Sequence, residues 1–268
     1  MEPLTLLHRD ENIAIFNKPA GLLVHRSWID RLETRFALQM ARDQLGCKVY
    51  PVHRLDKPTS GVLLFALSPG DASRLTSSFP EGEVGKRYLA VVRGIVPESG
   101  TIDHPLLEEQ DRRDPYRQEG KGPQEAVTTY RRLGEVELPF SVGRYPTSRY
   151  SLVEAQPLTG RRHQIRRHLK HIFHPLVGDV NYGEGRHNRF FRDEMATSRL
   201  LLHAAELTFP HPESGTRVTV TAPLDRAFSA LLGRLEWEKA VPAEWLGSDR
   251  QLPVTDNHAG TAPGTISI

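Results

Sequence analysis

A single cysteine, Cys47, stands among 268 residues. An internal disulfide and a zinc site built from several cysteines are therefore excluded. No stretch approaches the roughly 20 consecutive apolar residues that a bilayer-spanning helix needs. The start, Met1-Glu2-Pro3-Leu4, carries an acid where a secretory signal carries basic residues. These features predict a cytoplasmic protein in a reducing compartment, with no membrane partner. Nucleotide-binding signatures are missing too. Gly85-Lys86 is followed by Arg87 and lacks the upstream glycine of a phosphate loop, and no Gly-x-Gly-x-x-Gly occurs. Neither His-Glu-x-x-His nor Gly-x-Ser-x-Gly is present, which removes the usual zinc-protease and serine-hydrolase patterns. His163, His168, His171 and His174 cluster in sequence, but basic residues and no carboxylate stand among them. A cation would be repelled there, so no metal is expected.

What the chain does have is a hydrophobic fraction of 38 %, a charged fraction of 25 % and a net charge of only +2. That composition suits one folded domain or two small ones, with a real core. Leu4–Leu7 and Ile13–Asn17 read as short strands around a turn at Asp10-Glu11-Asn12. Ile29, Leu32, Phe36 and Met40 follow helical spacing up to Gly46. Val62–Ala66 has strand length, Ala72, Leu75 and Phe79 mark a helix face, and Tyr88–Val92 reads as another strand. Residues 98–124 are polar and charge-dense and read as a long loop. Strands return at Ala126–Tyr130 and Tyr150–Ala155, a basic helix runs from about Arg162 to Pro175, and late strands lie at Leu200–His203 and Arg217–Ala222. Leu231, Leu235 and Trp237 suggest a last helix. Strands and helices do not alternate regularly, so the fold class is α+β. Residues 1–246 read as one domain and 247–268 as a disordered tail.

Two segments carry chemistry. Residues 161–171 hold Arg161, Arg162, Arg166, Arg167 and Lys170, three histidines and no acid. On a nearly neutral body this is either an anion-binding face or an ordinary solvated helix face. On a helix, Arg162, Arg166 and Lys170 share one face, while Ile165, Leu169 and Ile172 lie on another. The second segment is Val52-His53-Arg54-Leu55-Asp56-Lys57-Pro58-Thr59-Ser60-Gly61. Here a turn stiffened by Pro58 and released at Gly61 feeds an apolar strand. Asp56, between Arg54 and Lys57, is a carboxylate that stays ionised and can act as nucleophile or base, or simply cap the turn.

His-Arg-Leu-Asp-x-Pro-Thr-Ser-Gly before an apolar strand resembles the catalytic motif of the RluA-type pseudouridine synthases. Four further segments match in the same order: Asn17–His25, Lys86–Ala90, Leu158–Arg166 with His174–Asp179, and Leu200–Ala204. Val24–Trp28, Gly143–Tyr150 and Arg166–Leu169 resemble the TruC branch of that family, which modifies uridine 65 of tRNA. The resemblance implies a pseudouridine-synthase catalytic fold, a mixed and mostly antiparallel sheet with flanking helices and a central cleft. It implies isomerisation of uridine to pseudouridine without a cofactor. Asp56 would be the essential carboxylate, Arg166 its partner, and Tyr88 the residue against the uracil. Arg54 would fill the space left by the extruded nucleotide or hold its phosphate, and Leu202 would pack on the base. Arg162, Arg167 and Lys170 would remain for RNA. The same chemistry on ribosomal RNA, and an RNA-binding module without catalysis, are the alternatives. A monomer is expected.

Overall fold

The computed structural model describes residues 3–26, 33–79, 82–108 and 122–247. Trp28, the tip of the 98–124 segment and the carboxy-terminal tail lie outside them. Among the described residues, ten strands form one sheet. They are β1 (Thr5–Arg9), β2 (Ile13–Lys18), β3 (Tyr50–Pro51), β4 (Ser60–Ala66), β5 (Gly85–Arg93), β6 (Ser99–Asp103), β7 (Val127–Leu138), β8 (Ser148–Pro157), β9 (Leu202–Pro210) and β10 (Arg217–Thr221). Along the sheet the order is β1-β2-β4-β9-β5-β8-β7-β6, with β3 beside β4 and β10 beside β9. Every pairing is antiparallel except β4 with β9. The helices are α1 (Ala37–Leu45), α2 (Pro69–Ser78), α3 (Gln164–His171), α4 (Gly185–Asp193), α5 (Arg226–Arg234) and α6 (Ala243–Leu246). None is long and apolar enough to cross a membrane.

The central strands are buried on both faces, so they read as apolar runs rather than alternating patterns. In β4, Val62, Leu64 and Ala66 pack on one side with Leu75 of α2. Leu63 and Phe65 pack on the other with Ala37 and Ala41 of α1. Further along, Leu89 and Val91 of β5 face Phe191 of α4 and Phe228 of α5. Their neighbours Ala90 and Val92 face Ile165 and Leu169 of α3. Gly46 ends α1 in the left-handed conformation, and Ser68 caps α2 by accepting from the Asp71 N–H.

Several elements differ from the sequence reading, among them α4, which it lacks, and α1, which begins only at Ala37 because Phe36 is extended at φ −140°. Residues 99–103 form an edge strand inside the supposed loop, because their backbone pairs with β7 although only Ile102 is buried. Strand β7 runs on to Leu138, well past Tyr130. Helix α3 begins at Gln164, after His163 at φ 56°, so Arg162 precedes the helix and does not share a helical face with Arg166 and Lys170.

The seam between β4 and β9 is short, pairing Ser60 with His203 and Gly61 with Ala204. Gly61 is at φ +118°, and a Cβ there would stand 2.1 Å from the Ala204 carbonyl oxygen. Gly61→Ala should therefore lower stability by at least about 3 kcal/mol, from backbone strain and forced separation of the strands. Denaturant unfolding checks this; a variant as stable as wild type would contradict the close approach.

Candidate active site

A cleft of about 770 Å³ opens between the turn of residues 52–59 and the segment leading into α3. Its volume lies within the range typical of small-ligand sites. Arg54, Asp56, Tyr88, Arg162, Arg166, Arg167 and Leu202 all line it. Lys170 does not. It lies on the exposed side of α3, with its ammonium 5.7 Å from the centre of the Tyr182 ring.

Asp56 comes from the turn that precedes β4 and keeps 20 % of its side chain exposed. Its Oδ2 accepts from Nη1 of Arg166 at 3.0 Å, across 110 residues of chain. Arg166 is 3 % exposed, because the first turn of α3 carries it inward. The guanidinium is already gripped from its other edge. Nε and Nη2 donate to the two carboxylate oxygens of Asp179 at 2.7 and 2.9 Å. Asp179 also accepts from the N–H groups of Asn181 and Tyr182. The Tyr182 ring lies 5.0 Å from the guanidinium. Two-pronged pairing fixes direction as well as charge. Arg166 is thus aimed by Asp179 and presents one remaining N–H edge to Asp56.

The charges follow from this geometry. Burial pushes the Asp179 carboxyl up, but the Arg166 contacts and the two backbone donors outweigh it and hold it below the usual carboxylate range. Burial alone would lower Arg166, yet its two carboxylate partners raise it, so it stays charged. The cations next to Asp56 in sequence have other surroundings. Lys57 pairs with Glu33 at 2.8 Å, and Arg54 is exposed at the cleft.

Tyr88 sits on β5 where the pairing with β9 slips, so that Arg87 faces Glu206 but Tyr88 faces Ala204. Such a bulge re-aims a side chain. Tyr88 thereby joins Leu202 on the α3 face of the sheet. Burial, and then the charge of Asp56, raise its phenol above the ordinary value. The hydroxyl is therefore protonated at neutral pH. The surroundings therefore work against a phenolate base.

Residues without an assigned role in the sequence reading also build the site. Lys18 is fully buried, and its ammonium donates to the carbonyls of Pro19, Leu22 and Lys57 at 2.9, 2.7 and 3.2 Å. It ties the opening segment to the residue after Asp56. Ser60 contacts His203 at 2.7 Å and accepts from Arg199 at 2.7 Å, which buttresses the end of the turn. His163 has Nε2 3.8 Å from Oδ1 of Asp56 and Nδ1 2.8 Å from the Tyr182 hydroxyl. Lys18, His163 and Asp179 all lie inside the motifs read from sequence. Their partners are carbonyls, a phenol and an arginine brought together by folding, which residue type alone does not announce. Among the described residues, no three His, Cys, Asp or Glu side chains are placed to hold a metal ion.

Burial, and then the Arg199 charge, pull Lys18 down to a pKa of about 7, while Asp56 pulls the other way. In the unfolded chain a lysine keeps its proton to about 10.4. Between those values the unfolded state holds more protons, so this group makes stability rise with pH and fall as pH drops toward 7. Lys18→Met should flatten unfolding free energy against pH between about 7 and 10. An unchanged slope in denaturant titrations would show that Lys18 titrates normally.

Comparison with known proteins points to one family. A family model described as RNA pseudouridylate synthase matches residues 12–171. A Vibrio parahaemolyticus protein named tRNA pseudouridine synthase C is 48 % identical over 237 residues, 88 % of this chain and 96 % of that protein. A Pasteurella multocida protein of the same name is 49 % identical over 236 residues, covering 88 % and 97 %. Among solved structures, the one titled human RNA Pseudouridylate Synthase Domain Containing 1 aligns with a TM-score of 0.64 at 27 % identity, over 86 % of this chain and 90 % of that one. A family match over more than half the chain and relatives at nearly half identity, on a fold that aims Asp56 and Arg166 into one cleft, lead to one assignment: the chain belongs to the RNA pseudouridylate synthase family.

Proposed function

We propose that this protein isomerises uridine to pseudouridine in tRNA, at position 65, in the cytoplasm and as a monomer. The observation that carries the reading is Asp56 held at the cleft by an arginine that a second, buried carboxylate orients. The name these relatives share supports tRNA as substrate, and the branch-level motifs support position 65.

The reaction breaks the bond from N1 of uracil to the ribose and forms one from C5, and the C5 proton leaves as N1 gains one. Atoms balance without an oxidant or an imported group. Asp56 acts as nucleophile or base, since an ionised carboxylate supported by Arg166 serves either route. Arg166 holds that carboxylate in place, and Tyr88, protonated, lies against the base with Leu202. A uridine inside a stem must be turned out, at a cost of a few kcal/mol. Arg54, Arg162 and Arg167 at the cleft offset that cost through phosphate contacts. Lys170 lies outside the cleft.

A nucleotide-resolution pseudouridine map of total RNA tests this, comparing cells with and without the gene and cells rescued by it. Loss and rescue at tRNA position 65 is the expected result. Loss at a ribosomal site would keep the chemistry and overturn the substrate, and no change at any site would overturn the reading.

A further inference from the structure

Arg166 bonds one oxygen of Asp56, and the other faces a histidine. Oδ1 lies 3.8 Å from Nε2 of His163, whose side chain lines the cleft and is 14 % exposed. The His163 backbone stands at φ 56°, in the left-handed region that non-glycine residues rarely adopt. Such a conformation persists where the surroundings over-determine it, and it clusters at working sites. The imidazole is also aimed from behind. Nδ1 lies 2.8 Å from the Tyr182 hydroxyl, and the two rings meet edge to face, 5.6 Å apart at their centres. An ionised carboxylate favours an N–H facing it over a lone pair. The hydrogen bond at one ring nitrogen sets which nitrogen carries the proton. Both ends are satisfied when Nε2 carries it toward Asp56 and Nδ1 accepts from the Tyr182 hydroxyl.

Tyr182 belongs to the turn that grips Arg166. Its N–H donates to Oδ1 of Asp179 at 3.0 Å, and Asp179 pairs with Arg166. Two arms therefore leave residues 179–182 and converge on Asp56. One runs from Asp179 through Arg166 to Oδ2, the other from the Tyr182 hydroxyl through His163 toward Oδ1. Held by one donor, a carboxylate can still swing about that contact. Donors on both oxygens fix its plane, and a misplacement of about 1 Å at a reacting group costs up to about 10²-fold in rate. The 3.8 Å separation is longer than a hydrogen bond. Catalytic contacts are often long in a free enzyme and tighten when substrate binds, so the second arm is poised to close with the uridine in place.

We infer that His163, aimed by Tyr182, is a positioning residue that holds the second oxygen of Asp56 and fixes the plane of its carboxylate. This rests on the functional reading above. The test is single-turnover pseudouridine formation on a tRNA transcript, with filter binding on the same preparations. Wild type is compared with His163→Leu, His163→Gln, Tyr182→Phe and the double variant Tyr182→Phe/His163→Leu. Leucine fills the space without a donor, so the rate at saturating RNA should fall about 10–100-fold while affinity stays within about threefold. Glutamine restores an N–H near the place of Nε2 and should bring the rate back to within about threefold of wild type. Tyr182→Phe removes the aiming hydroxyl and should slow the reaction in the same direction, and the double variant should be no slower than His163→Leu alone. A His163→Leu rate near wild type would overturn the inference. So would a glutamine variant as slow as the leucine one, or a loss confined to affinity, which would make His163 a contact to RNA. Should His163→Leu fail to fold in a thermal melt, Tyr182→Phe decides, and a wild-type rate there would overturn the inference. Wild type that binds tRNA but forms no pseudouridine would overturn the functional reading. Tm values of His163→Gln, Asp56→Asn and their double variant then settle the positioning contact, since additive shifts would show that the two side chains do not interact.

Discussion

Asp56→Asn should abolish pseudouridine formation while leaving the fold and RNA binding nearly intact. The substitution keeps the shape of the side chain and removes its charge. A positioned acid or base contributes about 10²–10⁴-fold, and a nucleophile that cannot attack loses more, so a fall of at least about 10³-fold is expected. The fold survives because Arg166 does not depend on Asp56. Its other edge stays bonded to Asp179, and the position is 20 % exposed. RNA affinity should remain within a few-fold, since phosphate contacts come from arginines elsewhere. Single-turnover product assays and filter binding on the same preparation decide the matter. Product at a rate near wild type would remove Asp56 from the mechanism. Lost binding with lost product would instead favour a non-catalytic RNA-binding module.

The second large effect is expected at Asp179. Asp179→Ala strips a buried guanidinium of its two-pronged partner and orphans the N–H groups of Asn181 and Tyr182. Breaking a buried pair from one side costs about 3–5 kcal/mol. For a domain of this size that is a drop of about 6–20 °C in Tm. The loss has a pH signature. The folded carboxyl titrates below its unfolded value, so its stabilisation is complete above the unfolded pKa and disappears as pH falls through the folded one. Wild type should therefore lose stability more steeply than the variant in acid. Asp179→Leu/Arg166→Met separates stability from chemistry. It replaces the pair with apolar groups and should recover part of the stability without recovering activity. A double variant that regained activity would show that Arg166 does not orient Asp56.

Much of this was legible from residue order, and the exceptions have physical reasons. The apolar run after Gly61 announced β4, and the turn around Pro58 announced Asp56 at its mouth. The polar edge strand β6 was not legible, because one buried residue in five leaves no periodicity to read. Helix α4 escaped notice because its core contacts are two adjacent phenylalanines, not a 3.6-residue stripe. The basic segment was misdrawn for a subtler reason. Its spacing assumed a helix already running at Arg162, whereas the left-handed His163 delays the start. Arg166 consequently faces inward and Arg162 belongs to the cleft rim. Asp179 lay within a recognised motif, but no spacing rule ties it to an arginine 13 residues earlier across Pro175 and Gly178.

The two-rung seam at Gly61 has a consequence for when the enzyme can begin to work. Asp56 is delivered from the β4 side of that seam, and its partner strand β9 begins only at residue 202. A nascent chain therefore carries the carboxylate long before the strand that seats its turn exists. At roughly 5–20 residues per second of synthesis, the interval is about 7–30 seconds. During it the ribosome holds an unfinished pocket that cannot touch the RNAs crowded around it. The chain becomes competent only after β9 has been made, and the long reach of the seam acts as a timer on its activity.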